Sequence, residues 1–310
     1  MTVQPSAIPV EGLANVSDPA IFSQIWQWQG LGIRYQQAGT QGAAVLLVHG
    51  FGASSDHWRK NIAVLGQTNR VYAIDLLGFG QSAKPRPVPE LAYTFETWAA
   101  QVLAFCRQVI GEPTFLVGNS IGCIVALQSA VTEPAWVRGI GILNCSLRLL
   151  HDRKRATLPW YRNVGSSLLQ KALAYPAIGN YFFTRLAKPE VIRKILLQAY
   201  GHKEAVTDEL IELLLKPAQD KGAVDVFLAF IRYSQGPLAE DLLPQINCPI
   251  VMLWGTDDPW EAIALGQELA TCGQVEEFIP LKGVGHCPQD EAPELVNPIL
   301  QTWLSRHSPN

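Results

Sequence analysis

The sequence predicts an α/β fold: a mixed, mostly parallel sheet with helices on both faces, interrupted by a helical insertion. Three observations carry that prediction. Short runs that are apolar at nearly every position recur along the chain, the pattern of strands covered on both faces. Segments of helical length separate them, as parallel crossovers require. Between Cys145 and Asp241 the alternation stops, and the stretch carries amphipathic helical patterns with no convincing strand.

Near the start, Ile25-Trp26-Gln27-Trp28 and Ile33-Arg34-Tyr35 alternate at period two around Gly30 and Gly32, which predicts an antiparallel hairpin. Buried strands follow at Val45–Val48, Val71–Ile74, Phe115–Val117 and Ile140–Leu143, and two more after the insertion at Ile250–Trp254 and Val275–Ile279. Helices are expected over Thr94–Val109 and Gly122–Val131, and inside the insertion over Val191–Ala199 and Glu209–Leu215. Aromatic residues crowd the insertion, among them Trp160, Tyr161, Tyr175, Phe182, Phe183, Phe227, Phe230 and Tyr233. It reads as a second helical layer of the core or as a cap over a cleft, and its place between strands whose ends carry chemistry favours the cap. Residues 1–144 and 242–310 then form the core and residues 145–241 the cap. No internal repeat or low-complexity segment is visible.

Composition narrows the function classes. The chain's 310 residues suffice for one large domain or two small ones. With 48% hydrophobic and 16% charged residues, they have ample material for a core, which excludes a disordered chain. Twenty-four Lys and Arg against 27 Asp and Glu leave a net charge of −3, so nothing recommends a nucleic-acid partner. No run of apolar residues is long enough to span a membrane. The polar, proline-bearing start MTVQPSAIPVEGLANVSDP lacks the features of a signal peptide. Cys106, Cys123, Cys145, Cys248, Cys272 and Cys287 are scattered through apolar contexts without paired spacing, and read as buried thiols of a reducing compartment. An intracellular protein is expected.

Chemistry gathers where strands end. Gly118-Asn119-Ser120-Ile121-Gly122 directly follows one predicted strand and directly precedes a helix, the strand–turn–helix setting in which G-x-S-x-G presents a nucleophilic serine. Small residues two before and two after the serine relieve the crowding of that turn. The helix start offers unpaired amides and a positive dipole end to a developing oxyanion. His49-Gly50-Phe51-Gly52 follows the strand Val45–Val48, so the N–H of Phe51 can join that of Ile121 in an oxyanion hole, with His49 orienting the loop. A serine nucleophile needs a base, and the base an orienting acid. His286 lies beyond the last strand and Asp258 beyond the one before it, with neighbouring Asp257 as rival for the acid. The other histidines, His57, His151, His202 and His307, fit no strand end and read as solvated or structural. Asp75 in Asp75-Leu76-Leu77-Gly78-Phe79-Gly80 reads as shaping a turn, and Arg153-Lys154-Arg155 as a solvated face, with a membrane-surface contact as its other reading.

The elbow, the HGF loop, DLLGFGQS, the strand-end aspartate and the late histidine together resemble the α/β-hydrolase superfamily over nearly the whole chain. GNSIG, TDDPWE and VGHCPQDEAPELVNPIL resemble, more closely, the chlorophyll dephytylase and pheophytinase group of photosynthetic organisms. That resemblance implies an α/β-hydrolase fold and hydrolysis of the ester that joins a tetrapyrrole propionate to phytol. It assigns Ser120, Asp258 and His286 as the triad and Phe51 and Ile121 as oxyanion donors. No metal or cofactor is implied. The partners it implies are a chlorophyll- or pheophytin-type phytyl ester and a peripheral contact of the cap with the thylakoid membrane. Cys123 departs from the group, standing where its pattern has a second glycine. The start of the chain carries no transit-peptide pattern, which points to a bacterial, cyanobacterial source.

Rival readings keep the scaffold and change the role. Dehalogenases and epoxide hydrolases use a carboxylate at the elbow, and Ser120 argues against both. A carbon–carbon hydrolase acting on a dienone, or a general carboxylesterase, retains the serine. A non-catalytic ligand receptor can retain the whole triad.

Overall fold

The structure, a computed structural model, describes residues 18–149, 151–156 and 175–308. The N-terminal stretch read for targeting signals and the aromatics Trp160 and Tyr161 lie outside the described residues. Eight strands form one sheet: β1 (Phe22–Trp28), β2 (Leu31–Ala38), β3 (Ala44–Val48), β4 (Arg70–Ile74), β5 (Thr114–Ser120), β6 (Val137–Cys145), β7 (Ile250–Gly255) and β8 (Val275–Leu281). Their spatial order is β1-β2-β4-β3-β5-β6-β7-β8. The β1–β2 hairpin joins β4 antiparallel, and every pairing from β4 through β8 is parallel. This is the mixed, mostly parallel sheet the sequence predicts.

Apolar runs explain the layering. Leu46 and Val48 of β3 belong to one core cluster, and Val45 and Leu47 to another. Alternate residues of a strand point to opposite faces, so a run apolar throughout feeds two cores. Helices α1 (Phe95–Phe105) and α2 (Ile121–Thr132) cover one face through Trp98, Val102, Ile124 and Leu127. The C-terminal helix α7 (Pro293–His307) covers the other through Val296, Leu300 and Trp303, whose ring meets Phe115 edge-on at 5.4 Å. Thr94 caps α1 by accepting from the Thr97 N–H, which starts the helix where the sequence places it.

Between β6 and β7 the described residues hold helices and no strand. The longer ones are α3 (Pro176–Leu186), α4 (Pro189–Ala199), α5 (Asp208–Ala218) and α6 (Ala223–Arg232). Leu196, Ala199, Tyr200, Leu210 and Ile211 pack into a small third cluster that also takes in Cys287 from beyond β8. Arg153 and Lys154 are not a free basic face: they pair with Asp241 and Glu240 of the short helix Ala239–Leu242.

One expectation needs correction. Cys106, Cys123, Cys145 and Cys287 are buried, but Cys248 and Cys272 are only half-buried, because one precedes the buried run of β7 and the other sits beside the partly exposed rim strand β8. All six are free thiols. Of the histidines read as solvated or structural, His57 and His151 are structural: both are buried, His151 with its ring against the Gly236 carbonyl and the Arg153 N–H.

Candidate active site

The C-terminal ends of β3, β5, β6 and β7 and the loop after β8 meet at one edge of the sheet, the edge at which ligands bind in open α/β folds. Ser120 stands at the end of β5 and the start of α2 with φ 55° and ψ −119°. A non-glycine residue held there carries strain that the surroundings must impose. They do so by crowding. A β-carbon at Gly118 would fall 2.5 Å from the Cys123 nitrogen, and one at Gly122 would fall 2.7 Å from the His49 carbonyl oxygen. Both positions therefore demand glycine, which is the physical content of G-x-S-x-G. Asn119 donates from Nδ2 to the carbonyls of Leu143 at 3.1 Å and His286 at 3.0 Å, tying the turn to β6 and to the histidine loop. Cys123, where the resembled group has glycine, directs its Sγ toward the Gly118 carbonyl at 3.1 Å.

His286 is buried, and its Nδ1 lies 2.7 Å from Asp258 Oδ2. Asp258 is equally enclosed. Its Oδ1 accepts the N–H groups of Trp260 at 2.8 Å and Glu261 at 3.1 Å, and Oδ2 also accepts Asn144 Nδ2 at 2.7 Å. Burial opposes its charge, but the His286 interaction and these donors outweigh burial and hold the carboxyl below its usual pKa. The Trp260 ring meets His286 edge-on at 4.8 Å. Asp257 is exposed and takes the Thr256 hydroxyl, so the geometry pairs His286 with Asp258.

The loop after β3 sits against the elbow: a β-carbon on Gly50 would lie 3.2 Å from that of Ser120. His49 fixes the loop with both ring nitrogens. Nδ1 meets the Gly50 carbonyl at 2.7 Å and Nε2 accepts the Leu76 N–H at 3.0 Å, and burial pulls its pKa down. Such a neutral ring orients the loop. Asp75 accepts the N–H groups of Ser55 and Gln81, each at 2.7 Å, and so shapes the turn.

A cavity of about 930 Å³ lies over Ser120, lined by Phe51, Ile121 and His286 from the core and by Leu196, Phe227 and Phe230 from the insertion. Its volume falls within the range of small-molecule sites. Phe51 stacks on Phe230 at 4.5 Å and meets Phe79 edge-on at 5.5 Å. Among the described residues two cationic side chains reach the wall, Arg148 and Lys84, and both are engaged. Arg148 donates to the carbonyls of Tyr233, Gln235 and Pro237 and lies between the rings of Phe95 and Tyr233. Lys84 donates to the Gly80 carbonyl and pairs with Asp220 at 2.8 Å. Among the described residues no group of three or more His, Cys, Asp or Glu is placed to hold a metal ion, and no helix is long and apolar enough to cross a membrane.

Residues 45–299 match the Alpha/beta hydrolase family. The chain belongs to that family. This α/β hydrolase is 28% identical to Pheophytinase, chloroplastic, of Arabidopsis thaliana, over 96% of its own length and 70% of that protein's. It is 24% identical to 2-hydroxy-6-oxo-6-(2'-aminophenyl)hexa-2,4-dienoic acid hydrolase of Metapseudomonas resinovorans, over 96% of both chains. Its fold matches that of a serine hydrolase involved in carbazole degradation with TM-score 0.73 and 20% identity, over 92% of this chain and 99% of the other.

Three residues of the α/β hydrolase's site were not legible in advance. Asn144, with φ 45°, bridges Asp258 to the Gly255 N–H, which its Oδ1 accepts at 3.0 Å. Glu261 is a buried carboxyl in the cavity wall, pushed up to about 7 by burial although the Leu147 backbone and His286 pull the other way. His57 also lines the cavity, and burial lowers it to about 4 despite the opposing charge of Asp290. Only His57 carried a signal, its place six residues beyond Phe51, in the single helical turn Ser55–Trp58 that follows the same loop.

Proposed function

We propose that this α/β hydrolase is a serine esterase that cleaves the phytyl ester of chlorophyll or a related tetrapyrrole, giving the dephytylated pigment and phytol. The observation that carries this reading is the cavity over Ser120: large, lined by aromatic and aliphatic side chains, with both of its cationic groups already committed among the described residues. A neutral ester with a long hydrocarbon tail suits that wall. Burying each CH₂ contributes roughly 0.8 kcal/mol, so a twenty-carbon alcohol brings much of its own binding energy. The 28% identity to a pheophytinase supports the same substrate class.

In this mechanism Ser120 Oγ attacks the ester carbonyl while His286 takes the hydroxyl proton, and Asp258 holds the ring and stabilises its charged form. The N–H groups of Phe51 and Ile121 receive the oxyanion, each worth roughly 3 kcal/mol in comparable chemistry. As the tetrahedral intermediate collapses, the C–O bond to the alcohol breaks and His286 returns its proton to the departing oxygen. Water, deprotonated by His286, then attacks the acyl-enzyme, and Ser120 leaves with the proton restored.

A second reading, carbon–carbon hydrolysis of an anionic dienone, is favoured by the Metapseudomonas resinovorans relative, but such a substrate needs a free cation for its carboxylate. Incubation with chlorophyll or pheophytin in detergent, with chromatographic identification of products, tests the first reading. Dephytylated acid and free phytol are expected, and both should vanish in Ser120→Ala. Absence of either product beside good dienone turnover overturns the phytyl ester reading. Inertness toward simple p-nitrophenyl esters as well, in the presence of tight ligand binding, makes the protein a receptor.

A further inference from the structure

Downstream of His286 the motif Cys287-Pro288-Gln289-Asp290-Glu291 takes no part in the chemistry above, yet Asp290 is fully buried and Glu291 nearly so. Glu291 accepts four backbone N–H groups from two segments, one close by in sequence and one about ninety residues away. Its Oε1 takes Gly285 at 2.9 Å and Cys287 at 3.3 Å, the residues on either side of His286. Its Oε2 takes Gly201 at 2.7 Å and His202 at 3.1 Å, just beyond the end of α4. The same two segments bond directly, the His286 N–H donating to the Ala199 carbonyl at 2.8 Å. No side chain separates them, since a β-carbon on Gly285 would lie 2.6 Å from the Gly201 nitrogen and one on Gly201 2.9 Å from the Gly283 carbonyl carbon. Beside this junction Tyr200 donates to Asp290 Oδ2 at 2.9 Å and meets His57 Nε2 at 2.8 Å.

We infer that Glu291 is a positioning residue that joins the end of α4 to the histidine loop, so that the cap wall and His286 move as one body. The inference rests on the esterase reading only in taking His286 as the base. Leu196 and Ala199 of α4 line the cavity, and Ala199 itself holds the His286 N–H. Whatever fills the cavity along α4 therefore presses on the segment that sets the imidazole. A carboxylate suits the junction because only two oxygens, each with two lone pairs, satisfy four donors at once. Glutamine in its place turns one acceptor into a donor facing two N–H groups.

Native-state hydrogen exchange on the unmodified protein, followed by NMR, tests the joining without any variant. The amides of Gly201, His202, Gly285 and Cys287 are expected to open in step, with equal opening free energies. Exchange of the first pair independently of the second overturns the inference. Glu291→Gln then tests its consequence, on p-nitrophenyl butyrate turnover that Ser120→Ala abolishes. A displacement of His286 lowers kcat by about 10²-fold with KM little changed. It also shifts or removes the low-field proton resonance of the His286–Asp258 hydrogen bond. A variant with lower Tm but wild-type kcat and an unmoved resonance assigns Glu291 to fold stability alone and overturns the positioning role. Should Glu291→Gln not fold, the exchange result decides. Failure of pigment hydrolysis leaves both readouts untouched, whereas turnover surviving in Ser120→Ala removes the esterase reading itself.

Discussion

Asn144 meets Asp258 at the oxygen that faces the histidine: Asn144 Nδ2 donates at 2.7 Å to the same Oδ2 that lies 2.7 Å from His286 Nδ1. Asn144 sits at the end of β6 in a left-handed conformation, and its other side-chain atom accepts from Gly255 at the end of β7. The aspartate that faces His286 is thus fixed across two adjacent strands.

Asn144→Ala should lower kcat for p-nitrophenyl butyrate by about tenfold to a hundredfold, the value of one hydrogen bond to a charged group. Steady-state kinetics on folded variant measures it. A kcat equal to wild type removes Asn144 from any part in positioning the acid.

Asp258→Asn should cost about 10⁴-fold in kcat, since an amide holds the imidazole in the wrong tautomer. Asp257→Asn should cost less than tenfold, because its carboxyl is exposed and takes the Thr256 hydroxyl rather than His286. The reverse order in parallel assays would reassign the acid.

Glu261 makes stability depend on pH in a defined sense. Burial raises its pKa from 4.5 to about 7, so the folded state holds this proton more tightly than the unfolded chain. Its contribution to stability is full below pH 4.5 and is lost as the pH rises through about 7. Relative to wild type, Glu261→Gln should therefore gain stability across that window and level off above it, by at most about 3 kcal/mol. Urea unfolding at pH 5 and pH 8 reads the difference directly, and a relative gain on acidification contradicts the assignment.

Phe230→Ala removes the ring that stacks on Phe51 at 4.5 Å. It should raise KM for a p-nitrophenyl ester of a sixteen-carbon acid about tenfold while leaving the butyrate ester within a factor of three, as expected when apolar contact along the tail is lost. Equal losses for both esters would mean that the ring serves the oxyanion loop rather than the tail.

Much of the fold was legible because its signals are local. Runs such as Val45–Val48 and Ile250–Trp254 are apolar throughout and too short for a buried helix, which leaves a strand covered on both faces. Ser120 was legible for the same reason, since the glycines that relieve its strain lie within two residues. Asn144, Glu261 and Glu291 were not. Each depends on a partner far off in sequence, Asn144 on a residue 114 positions away and Glu291, beside its near neighbours Gly285 and Cys287, on one 90 positions away, and an isolated Asn or Glu announces no such partner. The helix Pro293–His307 was obscured by Pro298 inside it, which reads locally as a break.

Ser120, Asn144 and Asp258 follow from β5, β6 and β7, three neighbours within the sheet, whereas His286 follows β8, a rim strand with a single partner. Rims fray before interiors, because each residue there has fewer neighbours to hold it. Heat should therefore loosen His286 while Ser120 still stands in its turn. Inactivation would precede melting, and a warmed, silent enzyme would recover on cooling without having unfolded.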